Sequence, residues 1–102
     1  MQVAGFDWDE GNRSKCLAHD VSESAIESMF RSSVAVLPDP MHSKSEERLK
    51  AVGQGDDGRR IFVVFTLRAR RGKRLVRPIS ARHMHNKEVR HYEKETTPVQ
   101  KR

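Results

Sequence analysis

Apolar positions recur along this chain with two different periods, and the switches between them mark its elements. Val3, Gly5 and Asp7 alternate against Ala4, Phe6 and Trp8, which predicts a short strand over residues 3–8. Asp9 then offers a carboxylate N-cap, with Glu10 in the first turn, so a helix is expected from there to about His19. Ser22 caps a second helix: Val21 and Ile26 occupy the two positions of a hydrophobic staple, and Ala25, Ile26, Met29 and Phe30 continue the stripe. Residues 34–37 form a brief β-prone run stopped by Pro38-Asp39-Pro40, and residues 47–54 read as a strand followed by a glycine-rich turn. Residues 61–65, Ile-Phe-Val-Val-Phe, are apolar on both faces and belong in the centre of a sheet. Arg70-Arg71-Gly72-Lys73 turns the chain, and residues 75–81 return antiparallel. Pro78 has no amide hydrogen for the ladder, so it stands at a bulge or faces away from a partner. Glu88 lies three positions after His85, a weak capping box opening the last helix.

These elements predict a small α+β domain with two N-terminal helices, a curled antiparallel sheet of three to four strands and one C-terminal helix. The helices cover one face of the sheet and leave the other open. One domain is expected over residues 1–95, with a frayed basic tail over 96–102.

Charge changes the picture more than hydropathy does. Residues 1–58 hold 6 Lys+Arg against 11 Asp+Glu, whereas residues 59–102 hold 14 against 3. A basic half this pronounced is what a phosphate-binding face requires. The densest part is LVRPISARHMHNKEVRHY, residues 75–92, where Arg77, Arg82, His83, His85, Lys87, Arg90 and His91 face one acid, Glu88. The one cysteine, Cys16, cannot form an internal disulfide, and no segment reads as a signal peptide or membrane span, so a cytoplasmic protein is expected.

The histidines lack the spacing of a metal site, and their neighbours would repel a divalent ion; no metal and no cofactor is expected. Cations on an open sheet suit RNA, which can be cut without metal because its 2′-hydroxyl is the nucleophile. Such a site needs a base, an acid and positive charge for the phosphorane, roles that histidine, lysine and arginine fill. Trp8, Phe62 and Tyr92 are candidates to stack on bases.

The segments FDWDEGNRSKCLAHDVS, ERLKAVGQ, IFVVFTLR and RPISARHMHNKEVRHYE, in that order, resemble the BrnT-like toxins of type II toxin–antitoxin systems over residues 6–95. Its most specific parts are Trp8-Asp9 with Lys15 and His19, and Ile79-Ser80-Ala81-Arg82 with Lys87-Glu88 and Tyr92-Glu93. The resemblance implies a RelE-like fold and a metal-independent ribonuclease that arrests translation. It also implies a cognate antitoxin with a ribbon-helix-helix-type DNA-binding domain. The two would form a complex with two copies of each, reaching operator DNA through the antitoxin. It places functional positions at Trp8, Lys15, His19, Arg68 and Arg82. Asp20 stands where the family usually has glycine, at a left-handed helix C-cap that aspartate tolerates less well; it could also pair with His19.

Each candidate also has a plainer reading. Arg82 could pair with an acid of the last helix. His19 and His85 could serve only as helix caps, Lys15 as a solvated side chain and Trp8 as core. A plain hairpin separates Arg68 from Arg82 by about 20 Å at ~3.3 Å per residue, too far for one scissile phosphate. Arg82, Arg68, His19, Lys15 and His85 are therefore the catalytic candidates, and Trp8, Arg77, Lys87, Tyr92, Arg70 and Arg71 the RNA-contacting ones. Against an RNA-cleaving toxin stand a basic module that binds RNA or an acidic protein and does no chemistry, and an inactive toxin that retains antitoxin binding.

Overall fold

A computed structural model describes residues 3–32, 34–42 and 46–96. Five strands form one sheet in the order β1-β5-β4-β3-β2, with three α-helices and a short 3-10 turn at Pro40–His42. The strands are β1 (Gly5–Phe6), β2 (Val34–Pro38), β3 (Leu49–Gln54), β4 (Arg60–Arg70) and β5 (Lys73–His83); the helices are α1 (Glu10–Leu17), α2 (Glu23–Arg31) and α3 (Asn86–Thr96). The expectation of three to four antiparallel strands is corrected by β1, which pairs with β5 in parallel through Gly5–Leu75 and Phe6–Val76. Such a two-residue pairing between distant segments leaves no local pattern in the sequence.

α1 begins where Asp9 was expected to cap it, and the cap is reciprocal. The Asp9 carboxylate accepts from the Asn12 amide at 3.0 Å, and the Asn12 carboxamide accepts from the Asp9 amide at 2.7 Å. The helix stops at Leu17, two residues short of His19, and Asp20 leaves it in the left-handed conformation at φ +63°. Ser22 caps α2 by accepting from the Ala25 amide, and the staple residues Val21 and Ile26 are both buried.

The core lies between α1, α2 and one face of the sheet. Val21, Ile26, Met29 and Phe30 pack against Ala51, Ile61, Val63, Phe65, Val76 and Ala81. Phe30 meets the rings of Phe6 and Phe65 edge-on, with centroids 6.0 and 4.9 Å away.

β4 and β5 form a long hairpin whose two-residue turn, Arg71-Gly72, has positive φ at both positions, as a type I′ turn demands. Val64 pairs with Ser80 but Phe65 pairs with Pro78, so Ile79 is an extra residue and the bulge expected at Pro78 is present. The bulge has a consequence for the second face. Phe62, Val64, Thr66 and Arg68 alternate onto it from β4, and their partners Arg82, Ser80, Arg77 and Leu75 join them. Arg77 and Arg82 therefore share a face. That face is only partly open: Thr66 is buried and donates to the Glu47 carbonyl at 2.8 Å, and Arg82 is held by Glu88 from α3.

Candidate functional site

The cationic candidates divide between two depressions along the second face. The smaller, about 80 Å³, is lined by His19, Phe62, Ser80, Ala81 and Arg82. β4 and β5 set Phe62 directly opposite Arg82, and the guanidinium lies over the ring, 4.8 Å from its centroid. Glu88 grips the same guanidinium with both oxygens, at 2.8 and 2.7 Å, and one of those oxygens also accepts from the His85 amide at 3.1 Å. These contacts fix the Arg82 fork and cap α3 at once. The Arg82 hydrogen bonds, reinforced by the His85 amide, hold the Glu88 carboxyl down at about 2, and Glu88 in turn raises the Arg82 value. The plainer reading of Arg82, a pair with an acid of the last helix, is thus what the side chain does in this structure; it keeps 41 % of its surface exposed.

The larger depression, about 310 Å³, is lined by Gly11, Asn12, Lys15, Glu46, Arg48, Arg68, Arg77 and Ile79. Arg68 pairs loosely with Glu46 at 3.7 Å, and no acidic side chain among the described residues pairs with Lys15. Arg77 is more committed. It bonds Asp9 at 2.8 Å, lies 3.9 Å from Asp7, and is largely buried. The Asp9 carboxyl is lowered by the Asn12 amide and then by Arg77, so one carboxylate serves both the helix cap and the ion pair. Arg68 stands opposite Leu75 and Arg82 opposite Phe62, six residues apart along β4, or about 20 Å. The separation expected from strand spacing is present.

Other candidates lie elsewhere. Trp8 packs against the core and its indole donates to Glu27 of α2 at 2.9 Å, so it braces two elements. Arg70 reaches Asp7 at 3.4 Å, Arg71 occupies the hairpin turn, and Lys87 is exposed on the first turn of α3. The side chain of Tyr92 and the tail beyond Thr96 are outside the described residues. No ion pair joins Asp20 to His19; the Asp20 carbonyl instead faces Nε2 of His83 at 3.1 Å.

Sequence reasoning missed Asn12. Its buried carboxamide donates to the carbonyls of Asp7 and Pro78, at 3.0 and 2.7 Å, and so sets α1 against β5 at the bulge. The signal was the spacing of Asp9 and Asn12, which is that of a capping box. Among the described residues no group of three or more His, Cys, Asp or Glu is placed to hold a metal ion, and no helix is long and apolar enough to cross a membrane.

The model of one protein family, the BrnT ribonuclease toxins of type II toxin–antitoxin systems, matches residues 8–88. The chain belongs to that family. The match runs from Trp8 to Glu88 and so takes in both depressions. No curated protein matches the chain significantly. Membership in the BrnT family makes this a ribonuclease toxin by class and implies an antitoxin partner.

Proposed function

We propose that the chain is a metal-independent endoribonuclease that binds RNA on the second face of a RelE-like sheet and arrests translation in the cytoplasm. A cognate antitoxin with a ribbon-helix-helix-type domain neutralises it in a complex with two copies of each chain. The observation that carries this reading is the constellation of Arg82, Phe62 and His19 in one depression, with the His85 backbone amide bonded to the same Glu88 that grips Arg82. A base stacks near Phe62, and Arg82 meets the adjacent phosphate. One imidazole takes the 2′-hydroxyl proton as that oxygen attacks phosphorus. The other delivers a proton to the departing 5′-oxygen, leaving a 2′,3′-cyclic phosphate and a free 5′-hydroxyl. Arg82 stabilises the added negative charge on the phosphorane.

The test is incubation of purified protein with end-labelled RNA in EDTA. Fragments ending in 2′,3′-cyclic phosphate are expected, together with a folded but non-toxic Arg82→Ala variant. An equally toxic Arg82→Ala protein removes Arg82 from the site.

One observation favours a second reading, a binding module without chemistry: the Arg82 fork is already filled by Glu88. That reading expects salt-sensitive RNA binding with the RNA left intact.

A further inference from the structure

We infer that the depression at Lys15 and Arg68 is a separate phosphate-gripping subsite, which sets the length of RNA the protein needs; this rests on the ribonuclease reading above. Three observations carry it. The bulge at Ile79 brings Arg77 and Arg82 onto the same face, so a strand meeting Arg82 can continue across the sheet to the second depression without changing sides. The two depressions also follow each other along α1, which sends Lys15 to one and, just beyond its end, His19 to the other. Their separation, about 20 Å from Arg82 to Arg68, is too large for one phosphate and suits a chain carrying a charge at every unit. At ~3.4 Å per stacked nucleotide the span corresponds to about six nucleotides.

Within the subsite the cations have unequal freedom. Arg77 is clamped by Asp7 and Asp9 and acts as a fixed wall. Arg68, with its long contact to Glu46, and Lys15, with no acidic partner among the described residues, can turn to a phosphate at small cost. The subsite therefore contributes binding rather than bond-breaking, and its loss is expected in KM. An acidic protein segment is the competing occupant.

The experiment compares cleavage of a trinucleotide, which reaches only the Arg82 depression, with that of a dodecaribonucleotide. Arg68→Gln and Lys15→Gln should each lower the preference for the longer substrate, as a ratio of kcat/KM values, by about tenfold, the worth of one charge-assisted contact. In parallel, binding of a non-cleavable 2′-deoxy dodecamer should weaken, with the salt dependence reduced by about one phosphate contact. A length preference and a deoxy-oligomer affinity equal to those of the wild type at every salt concentration overturn the inference. So does a selective loss of affinity for an acidic peptide. If the wild type cleaves neither substrate while the variants still bind the deoxy oligomer more weakly, the ribonuclease reading falls and the subsite stands.

Discussion

Asn12→Ala should destabilise the fold by roughly 4 kcal/mol, although it removes no apolar surface. Asn12 is 4 % exposed. Its carboxamide accepts from the Asp9 amide and donates to the carbonyls of Asp7 and Pro78. Alanine deletes all three bonds, each worth about 1 kcal/mol net. The Pro78 carbonyl is then left without that donor in a buried position, which adds about 1 kcal/mol or more. Against a total stability of about 5–15 kcal/mol this is a large fraction. At ~4–8 °C per kcal/mol it lowers Tm by more than about 10 °C. Asn12→Asp keeps the shape and the accepting oxygen but aims a second oxygen at two carbonyl oxygens. It should therefore be at least as harmful at neutral pH and partly relieved as the pH falls and the new carboxyl gains a proton. Urea unfolding gives both values from the shift in midpoint at constant slope. A loss below about 1 kcal/mol for Asn12→Ala, with the slope unchanged, would refute the claim that this side chain joins α1 to β5.

Three further outcomes are expected. The Glu88 carboxyl is lowered from 4.5 to about 2, so its stabilising effect is present above the unfolded value and lost as pH falls through the folded one. The full difference corresponds to roughly 3 kcal/mol, but both partners are more than a third exposed and solvent screening leaves on the order of 1 kcal/mol. The stability gap between wild type and Glu88→Gln, measured by urea unfolding, should accordingly narrow between neutral pH and the acid range. Arg71→Asn should gain about 0.5–1 kcal/mol, because asparagine accepts the left-handed conformation at φ +52° more readily than arginine; an unchanged or lower Tm would count against the turn assignment. Gly55→Ala should cost about 1–2 kcal/mol, since its new methyl would stand 2.8 Å from Cδ1 of buried Ile61 and 3.2 Å from Cβ of Ala25. Calorimetry reads that directly.

Much of the fold was legible because its signals are local. Asp9 and Ser22 announce helix starts through their short acceptor side chains, and Arg71-Gly72 announces the hairpin. Pro78 announces the bulge through the hydrogen it lacks. What stayed hidden depends on segments far apart in the chain. The parallel seat of β1 beside β5, the bond from Asn12 to Pro78 and the covering of Thr66 by Glu47 have no trace in any window of sequence. The site shows the same division. Strand spacing was enough to separate Arg68 from Arg82, because a hairpin fixes distance along itself. It could not show that Lys15 goes with Arg68 and His19 with Arg82, which follows from how α1 lies across β5. Glu88 was readable as an acid near the arginine, but not as the group that pins both oxygens to it.

The unpaired residue at position 79 makes β5 a strand in which parity matters. Arg77 and Arg82 are separated by an odd count, which in an uninterrupted strand would send them to opposite sides. Excising Ile79 alone would make Phe65–Pro78 and Val64–Ser80 consecutive pairs, so Ala81 would keep its place in the core and Arg82 its place opposite Phe62, and only the local bend would be lost. The bulge is therefore a one-residue reserve: a single deletion here should leave every side chain facing the way it does now.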